Sequence, residues 1–130
     1  MATTTANFSI TSADLTDNAL NITNTATLTK AGNEEGLDTV IHAHKTFTSQ
    51  STVDLVAVTG YTAEAANKVY IANTGTSSSE FFTIAIESEE IGRLYGGDWM
   101  FIPWDANTGD NITIDPSEAT TMTCEYIVFS

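Results

Sequence analysis

Two histidines stand one residue apart in the stretch His42-Ala43-His44, and they are the only histidines of the chain. In a β-strand, residues i and i+2 point to the same side, so both imidazoles would face one direction. That arrangement suits a transition-metal ion, which binds imidazole nitrogen. A metal site needs at least a third ligand, and the sequence does not indicate one. We therefore expect two surface or interface histidines, with no bound metal and no cofactor.

Acidic residues form two further candidate cation sites. The loop Asp105-Ala106-Asn107-Thr108-Gly109-Asp110 is rich in the oxygen ligands that Ca²⁺ prefers. It departs from the EF-hand pattern, because Gly109 stands at a ligand position and Pro116 stands where the closing glutamate belongs. The run Glu87-Ser88-Glu89-Glu90 lies between two predicted strands. We interpret the first segment as a turn and the second as a solvent-exposed hairpin tip.

No arrangement of residues indicates catalysis. The chain has no nucleophile elbow, no phosphate-binding glycine loop and no HExxH zinc motif. Its single cysteine, Cys124, shares one side of a predicted strand with Met122 and Tyr126, which is typical of a buried thiol. The 17 acidic residues offer many carboxylate pairs, so no pair identifies a glycoside hydrolase. We predict a protein that is not an enzyme.

The charge balance excludes several classes of partner. Among 130 residues there are 17 acidic and 4 basic side chains, a net charge of -13. Such a chain repels phosphate, so we exclude nucleic acids and anionic membranes as partners. No apolar run approaches the roughly 20 residues of a membrane-spanning helix. The first residues, MATTTANFSI, lack the basic and apolar regions of a secretory signal, so we expect a chain that is made in a cytoplasm.

The apolar residues recur with a period of two along almost the whole chain. In residues 20–29, leucine, isoleucine and alanine alternate with asparagine and threonine, as in a strand with one buried face. The same pattern predicts eight or nine short strands, at residues 7–10, 20–29, 35–48, 51–59, 66–73, 80–88, 91–104, 110–115 and 120–129. We predict an all-β, antiparallel β-sandwich that is jelly-roll-like, with an immunoglobulin-like sandwich as the alternative. Residues 1–130 would form this single domain, with residues 1–6 either flexible or reaching a partner.

The segment GGDWMFIPW, residues 96–104, contains both tryptophans of the chain. As a strand it would be apolar on both faces, and so would residues 126–129. Burying one large apolar side chain is worth about 2 kcal/mol or more, so these strands must be covered by the same chain or by another subunit. The interface hypothesis comprises the large apolar residues of both segments: Trp99, Met100, Phe101, Ile102, Trp104, Tyr126, Ile127 and Phe129.

A carbohydrate- or receptor-binding module is the alternative from another class. In that hypothesis Trp99, Trp104 and Tyr95 are stacking platforms for sugar rings. Asp98 or Asp105 would then hydrogen-bond the sugar hydroxyls.

The second half of the chain contains four segments that occur together in one group of proteins. They are Val69-Tyr70-Ile71-Ala72-Asn73-Thr74-Gly75, Arg93-Leu94-Tyr95-Gly96-Gly97-Asp98, Phe101-Ile102-Pro103-Trp104 and Met122-Thr123-Cys124-Glu125-Tyr126-Ile127-Val128-Phe129. Because these four segments occur in this order, residues 67–130 resemble small structural proteins of tailed bacteriophages, particularly marine ones. The resemblance implies a virion component, such as a capsid decoration (cement) protein or a small tail or head-fibre module.

The two apolar strands and the phage resemblance together predict a non-enzymatic virion structural protein. The first choice is a capsid decoration protein that acts through subunit contacts. It would be made in the host cytoplasm and located in the virion. Its expected partners are copies of itself, with a homotrimer as the first choice, and the major capsid protein or another virion protein. A tail or head-fibre component of the same particle and the carbohydrate-binding module stay open as alternatives.

Overall fold

A computed structural model describes residues 3–15, 17–29, 36–37 and 39–130. Within these residues the chain forms ten β-strands. None of the described residues belongs to a helix that could cross a membrane. The chain divides into two compact units, Met1–Asp38 and Thr39–Ser130, which we treat separately. That residues 1–130 act as one domain stays a prediction.

The first unit is a two-stranded antiparallel ribbon. Strand β1 (Thr4–Ser12) pairs with β2 (Leu20–Leu28) along its whole length, from Thr4 opposite Leu28 to Ser12 opposite Leu20. β2 lies where the alternating pattern predicts it. β1 is longer than the predicted strand at residues 7–10 and includes part of the segment 1–6. Most side chains of this ribbon are exposed.

The second unit consists of eight strands in two antiparallel four-stranded sheets. The strands are β3 (Val40–Phe47), β4 (Val53–Val56), β5 (Asn67–Asn73), β6 (Phe81–Ile86), β7 (Glu89–Tyr95), β8 (Trp99–Trp104), β9 (Ile112–Pro116) and β10 (Met122–Phe129). The order is β3-β10-β5-β8 in the first sheet and β4-β9-β6-β7 in the second sheet.

The strand pairs of this unit are nested. The first strand pairs with the last, the second with the second to last, and so on inward: β3 with β10, β4 with β9, β5 with β8, and β6 with β7. Two further pairs, β10 with β5 and β9 with β6, complete the sheets. Thr39 and Ser130 exchange two backbone hydrogen bonds of 2.9 Å each beside the outermost pair. The unit is therefore one long antiparallel hairpin, folded over into two sheets.

One hydrophobic core takes side chains from both sheets. The rings of Phe47, from the first sheet, and Phe82, from the second, lie 5.3 Å apart. Because successive strand residues point to opposite faces, every second residue enters this core. Its fully buried apolar members are Val69, Ile71, Phe82, Ile84, Ile112, Ile114, Cys124 and Val128. The arrangement is sandwich-like, and the prediction of an all-β, antiparallel fold is confirmed.

The strand count differs from the predicted eight or nine. The sequence pattern treats residues 91–104 as one continuous run, but a turn at Gly96 and Gly97 divides this run between β7 and β8. Gly97 has a φ of 89°, a conformation that residues with a Cβ rarely adopt. The apolar alternation continues on both sides of the glycines, which is why periodicity alone does not separate the two strands. The predicted strand at 35–48 begins outside the described residues, and β3 occupies its later part.

Candidate functional site

Side chains alternate between the two faces of β8 and β10, and this separates the eight residues of the interface hypothesis into two groups. Met100, Ile102 and Tyr126 pack against the core, and Trp104 lies within it with 3% of its surface exposed. The other four residues point away from the core, onto the outer face of the first sheet: Trp99, Phe101, Ile127 and Phe129. Only this second group is placed where another molecule could contact it.

The four outward residues join Tyr70 of β5 in a continuous cluster, which we name the aromatic patch. Phe101 and Ile127 both lie opposite Tyr70 in the strand register. The rings of Phe101 and Phe129 are 6.3 Å apart, and those of Tyr70 and Trp99 are 6.2 Å apart. Trp99 is 54% exposed. Such cross-strand aromatic pairs stabilise a sheet, yet Trp99 keeps about half of its surface in water and the other four residues are only partly buried.

The outer face around the patch carries little charge. Val40 and Pro103, both exposed, border it on the edge strands. Lys68 lies opposite Phe129 and Pro103, and burial lowers the pKa of its amino group. Among the described positions of this face, Glu125 is the one acidic residue. A chain with a net charge of -13 therefore keeps one sheet face nearly free of carboxylates.

Trp104, the last residue of β8, has a structural role. Its indole Nε1 donates a hydrogen bond of 2.8 Å to the carbonyl oxygen of Asp110. Its ring meets that of Tyr61 edge-on, with 5.2 Å between the centroids. The buried indole therefore fixes the loop that follows β8 to the core, and the polar end of the ring has a partner, as burial requires.

The acidic loop after β8 is a turn, as its sequence predicts. The Asp105 carboxylate accepts hydrogen bonds from the backbone N–H of Glu64 and from the side-chain amide of Asn107, both 2.7 Å long. Gly109 has a φ of 99°, which suits a glycine turn. The carboxylate of Asp105 thus holds the loop itself together.

The run from Glu87 to Glu90 likewise forms the exposed tip between β6 and β7, as expected. Glu87 has a φ of 57° in that turn. Its backbone N–H donates a hydrogen bond of 3.1 Å to the carbonyl oxygen of Asn111. The tip is therefore a tight two-residue hairpin turn.

Two of the segments that carry the phage resemblance meet in the structure around Asn73. This residue is 4% exposed, and its amide nitrogen donates a hydrogen bond of 2.9 Å to the carbonyl oxygen of Leu94. Its backbone carbonyl accepts one of 3.0 Å from Gly97. A Cβ at Gly96 would lie 2.5 Å from the carbonyl oxygen of Ser77, so only glycine fits there. These segments join β5 to the β7–β8 turn, and their role is architectural.

The three rings of the carbohydrate hypothesis do not form one platform. Trp104 is in the core, Trp99 is on the outer face of the first sheet, and Tyr95 is in the second sheet, 5.1 Å from the ring of Phe81. Among the described ring contacts, none joins two of these three residues. A sugar would meet Trp99 together with Tyr70 instead.

Cys124 is fully buried, as its alternation with Met122 and Tyr126 predicts. Burial raises the pKa of its thiol to about 11, although the nearby Lys45 acts in the opposite direction. The thiolate is the reactive form of cysteine, so this residue is inert at neutral pH.

A third ligand stands beside the two histidines. His42 and His44 lie on β3, and Glu125 lies on the neighbouring strand β10, directly opposite His44. The Nε2 atom of His42 is 2.6 Å from Glu125 Oε1, and that of His44 is 3.8 Å from the same oxygen. The sequence does not reveal this glutamate as a ligand, because no local spacing relates residues that are 83 positions apart. We name these three residues the histidine cluster.

Comparison with known proteins gives no relative from which a role could be transferred. No family model matches the chain. No curated protein and no solved structure matches it either. The function must therefore be inferred from the aromatic patch and from the strand order.

Proposed function

We propose that the protein is a non-enzymatic structural component of a tailed-phage particle, and that it decorates the capsid by assembling through the aromatic patch. The observation that carries this proposal is a cluster of aromatic side chains, with Trp99 exposed and Tyr70, Phe101 and Phe129 partly exposed, on a face nearly free of carboxylates. Monomeric proteins rarely leave such a patch in water, whereas subunit interfaces are enriched in tryptophan, phenylalanine and tyrosine.

The sheet face that contains the patch is large enough to hold the centre of an interface. Four strands at about 4.8 Å spacing are about 19 Å wide, and six residues at about 3.4 Å each are about 20 Å long, so the outer face covers about 400 Å². A partner in a stable complex buries about 800 Å² per side, with an apolar centre and a polar rim. The patch would supply that centre, and Thr46, Thr123 and Glu125 on the same face would belong to the rim.

We also propose that residues 39–130 form a jelly roll. In a jelly roll, a long antiparallel hairpin wraps into two four-stranded sheets, which requires nested pairs of the first strand with the last, the second with the second to last, and so on. The pairs β3–β10, β4–β9, β5–β8 and β6–β7 support this assignment. Viral capsid domains use the jelly roll, and so do lectin domains and cupins, so the topology agrees with a virion role without requiring it.

The partners follow from the same face. A second copy of the chain comes first, and we propose a homotrimer in which each patch is covered by a neighbour. The major capsid protein or another virion protein would bind a different part of the surface. The role in the particle rests on the resemblance of residues 67–130, and the self-assembly rests on the patch.

Light scattering on the purified protein tests the assembly. A trimer of 13.9 kDa chains has a mass of about 42 kDa. Trp99→Glu places a charge in the patch and should yield monomers, since a desolvated carboxylate disrupts an apolar interface. Ile91→Glu is the matched control, because Ile91 is 45% exposed on β7 of the second sheet. A monomeric wild type, or equal dissociation of both variants, would contradict assembly through the patch.

Electron microscopy tests the location. Antibodies against this chain, coupled to gold, would be applied to purified particles of the phage that carries it. Labels over the whole capsid support decoration, and labels confined to the tail or neck support the tail alternative. Unlabelled particles, with the protein detected only in the infected cell, would refute a virion role.

A further inference from the structure

We propose that His42, His44 and Glu125 form a binding site for a divalent transition-metal ion, with Zn²⁺ as the representative ion. This inference does not rest on the proposed function. It concerns the histidine cluster at the edge of the first sheet, and it replaces the expectation of two surface histidines without a metal.

The strand register places all three side chains on one face. His42 and His44 are two residues apart on β3, so they point the same way, and their ring centroids are 5.5 Å apart. Glu125 of β10 stands directly opposite His44 and also points outward. The three positions are fixed by the ladder of a four-stranded sheet, which is more rigid than a loop.

The distances suit a single ion. Each residue offers one ligand atom, and these atoms all lie within 4.8 Å of one another. Ligand bonds of about 2.0 to 2.1 Å in a tetrahedral zinc site put neighbouring ligand atoms about 3.3 Å apart. The separations of 2.6 Å and 3.8 Å from Glu125 Oε1 to the two imidazole nitrogens lie on either side of that value. Small side-chain rotations therefore suffice to place an ion between them.

The ligand types select the class of ion. Two imidazoles and one carboxylate form the donor set of zinc sites that hold the metal with three protein ligands and keep one position open. Ca²⁺ and Mg²⁺ prefer several oxygen ligands, and Glu125 is the one carboxylate of the cluster. Copper and nickel also bind imidazole, and copper binds more strongly than zinc in such sites.

Access to the cluster is direct. The side chains of His42 and His44 are 51% and 59% exposed. An ion can reach the imidazoles from solvent without any movement of the backbone. The position that the protein leaves open faces solvent on the same side of the sheet as the aromatic patch.

The experiment uses the NMR signals of the imidazoles during a titration with ZnCl₂. The chain has two histidines, so every imidazole signal belongs to the cluster. We expect both residues to shift together, with saturation at one ion per chain and reversal by EDTA. Glu125→Gln keeps the shape of the side chain but removes the charge. This variant and His44→Ala each remove a ligand, so they should bind zinc more weakly than the wild type by at least the roughly 10- to 100-fold that loss of an outer-shell partner costs.

Two control variants separate zinc binding at the cluster from zinc binding elsewhere on the sheet and from the effects of self-assembly. Thr46→Ala alters the next outward pair, Thr46 and Thr123, whose hydroxyls are 3.5 Å apart, and it should leave zinc affinity unchanged. Titrating the Trp99→Glu variant removes the proposed interface, so a failure of self-assembly does not affect the result. Imidazole signals that stay in place at excess zinc would overturn the proposal. Equal affinity in Glu125→Gln and the wild type would overturn it as well.

Discussion

The two sheets of residues 39–130 have similar inner faces and different outer faces. Inside, both contribute isoleucine, valine and phenylalanine to one core. Outside, the first sheet carries the aromatic patch and the histidine cluster. The outer face of the second sheet carries threonines and the acidic residues Asp54, Glu90 and Asp115. The two sheets thus share one core but differ in the chemistry of their outer faces.

The second sheet also has an aromatic pair on its outer face, Phe81 and Tyr95, of which only Tyr95 is exposed. The rings of Phe81 and Tyr95 lie 5.1 Å apart, and the guanidinium of Arg93 lies 4.7 Å from the Phe81 ring centroid. The arginine thus covers the Phe81 ring with its charged group. The aromatic patch has no such cover among the described contacts. Both outer faces thus expose some apolar surface, such as Ile91 and Tyr95 on the second sheet and Val40 and Trp99 on the first, but the larger aromatic cluster is on the first.

The largest expected effect tests which residues face inward. Trp104→Ala should lower the free energy of unfolding by about 3 to 5 kcal/mol, because it empties a core position and removes the hydrogen bond to Asp110. Trp99→Ala on the same strand should lower it by less than about 1 kcal/mol, since that ring is half-exposed. Urea unfolding of both variants, under conditions that keep the protein monomeric, measures the difference. Similar losses in the two variants would contradict the assignment of the two faces.

A smaller effect tests the inner face of β10. Burial raises the pKa of Cys124 from 9.0 to about 11. Above pH 9 the thiol ionises in the unfolded chain but not yet in the folded one, so its contribution to stability is complete below pH 9 and disappears as the pH approaches 11. Between pH 8 and pH 10 the wild type should lose about 1.4 kcal/mol more than Cys124→Ala. Equal pH dependence in urea unfolding would show that the thiol is accessible to water.

The smallest effect compares the two outer faces directly. A double-mutant cycle on Phe101 and Phe129 should give a coupling of about 0.5 to 1 kcal/mol, in the lower part of the range for aromatic pairs. The cycle on Phe81 and Tyr95 should change when Arg93→Ala removes the covering guanidinium. The Phe101–Phe129 coupling should stay the same in that background. A response of both pairs to Arg93→Ala would mean that the two faces are not independent.

Local pattern predicts the strands and the buried positions well. Alternation alone places Cys124 among buried residues and identifies β2, β5, β6, β9 and β10 to within a few residues. It also selects the eight residues of the interface hypothesis, of which only Trp99, Phe101, Ile127 and Phe129 point outward. It cannot say which side of each strand faces the core, because residues 99–104 and 126–129 are apolar on both sides. The hydrophobic pattern is informative only where the two faces differ.

Long-range pairing is the part that the sequence does not reveal. The histidine cluster exists because β3 lies beside β10, and nothing near His42 or near Glu125 indicates that neighbour. The nested strand order cannot be predicted from the sequence pattern either, because it depends on pairing between strands that are far apart in the sequence. Gly96 and Gly97 are a turn signal in the sequence. The apolar alternation continues on both sides of them, so the pattern still predicts one strand.

The nested pairing also determines when the first sheet can form. β10 is the last of the ten strands to be synthesised, yet it lies between β3 and β5 and pairs with both. Until residues 122–129 are available, β3 has no neighbour in its sheet, and one edge of β5 stays unpaired. Contacts such as His42 with Glu125 close a loop of 83 positions, and folding slows as contacts become more distant in sequence. The unit should therefore complete its core in milliseconds to seconds after synthesis of β10, and it is most exposed to aggregation just before that step.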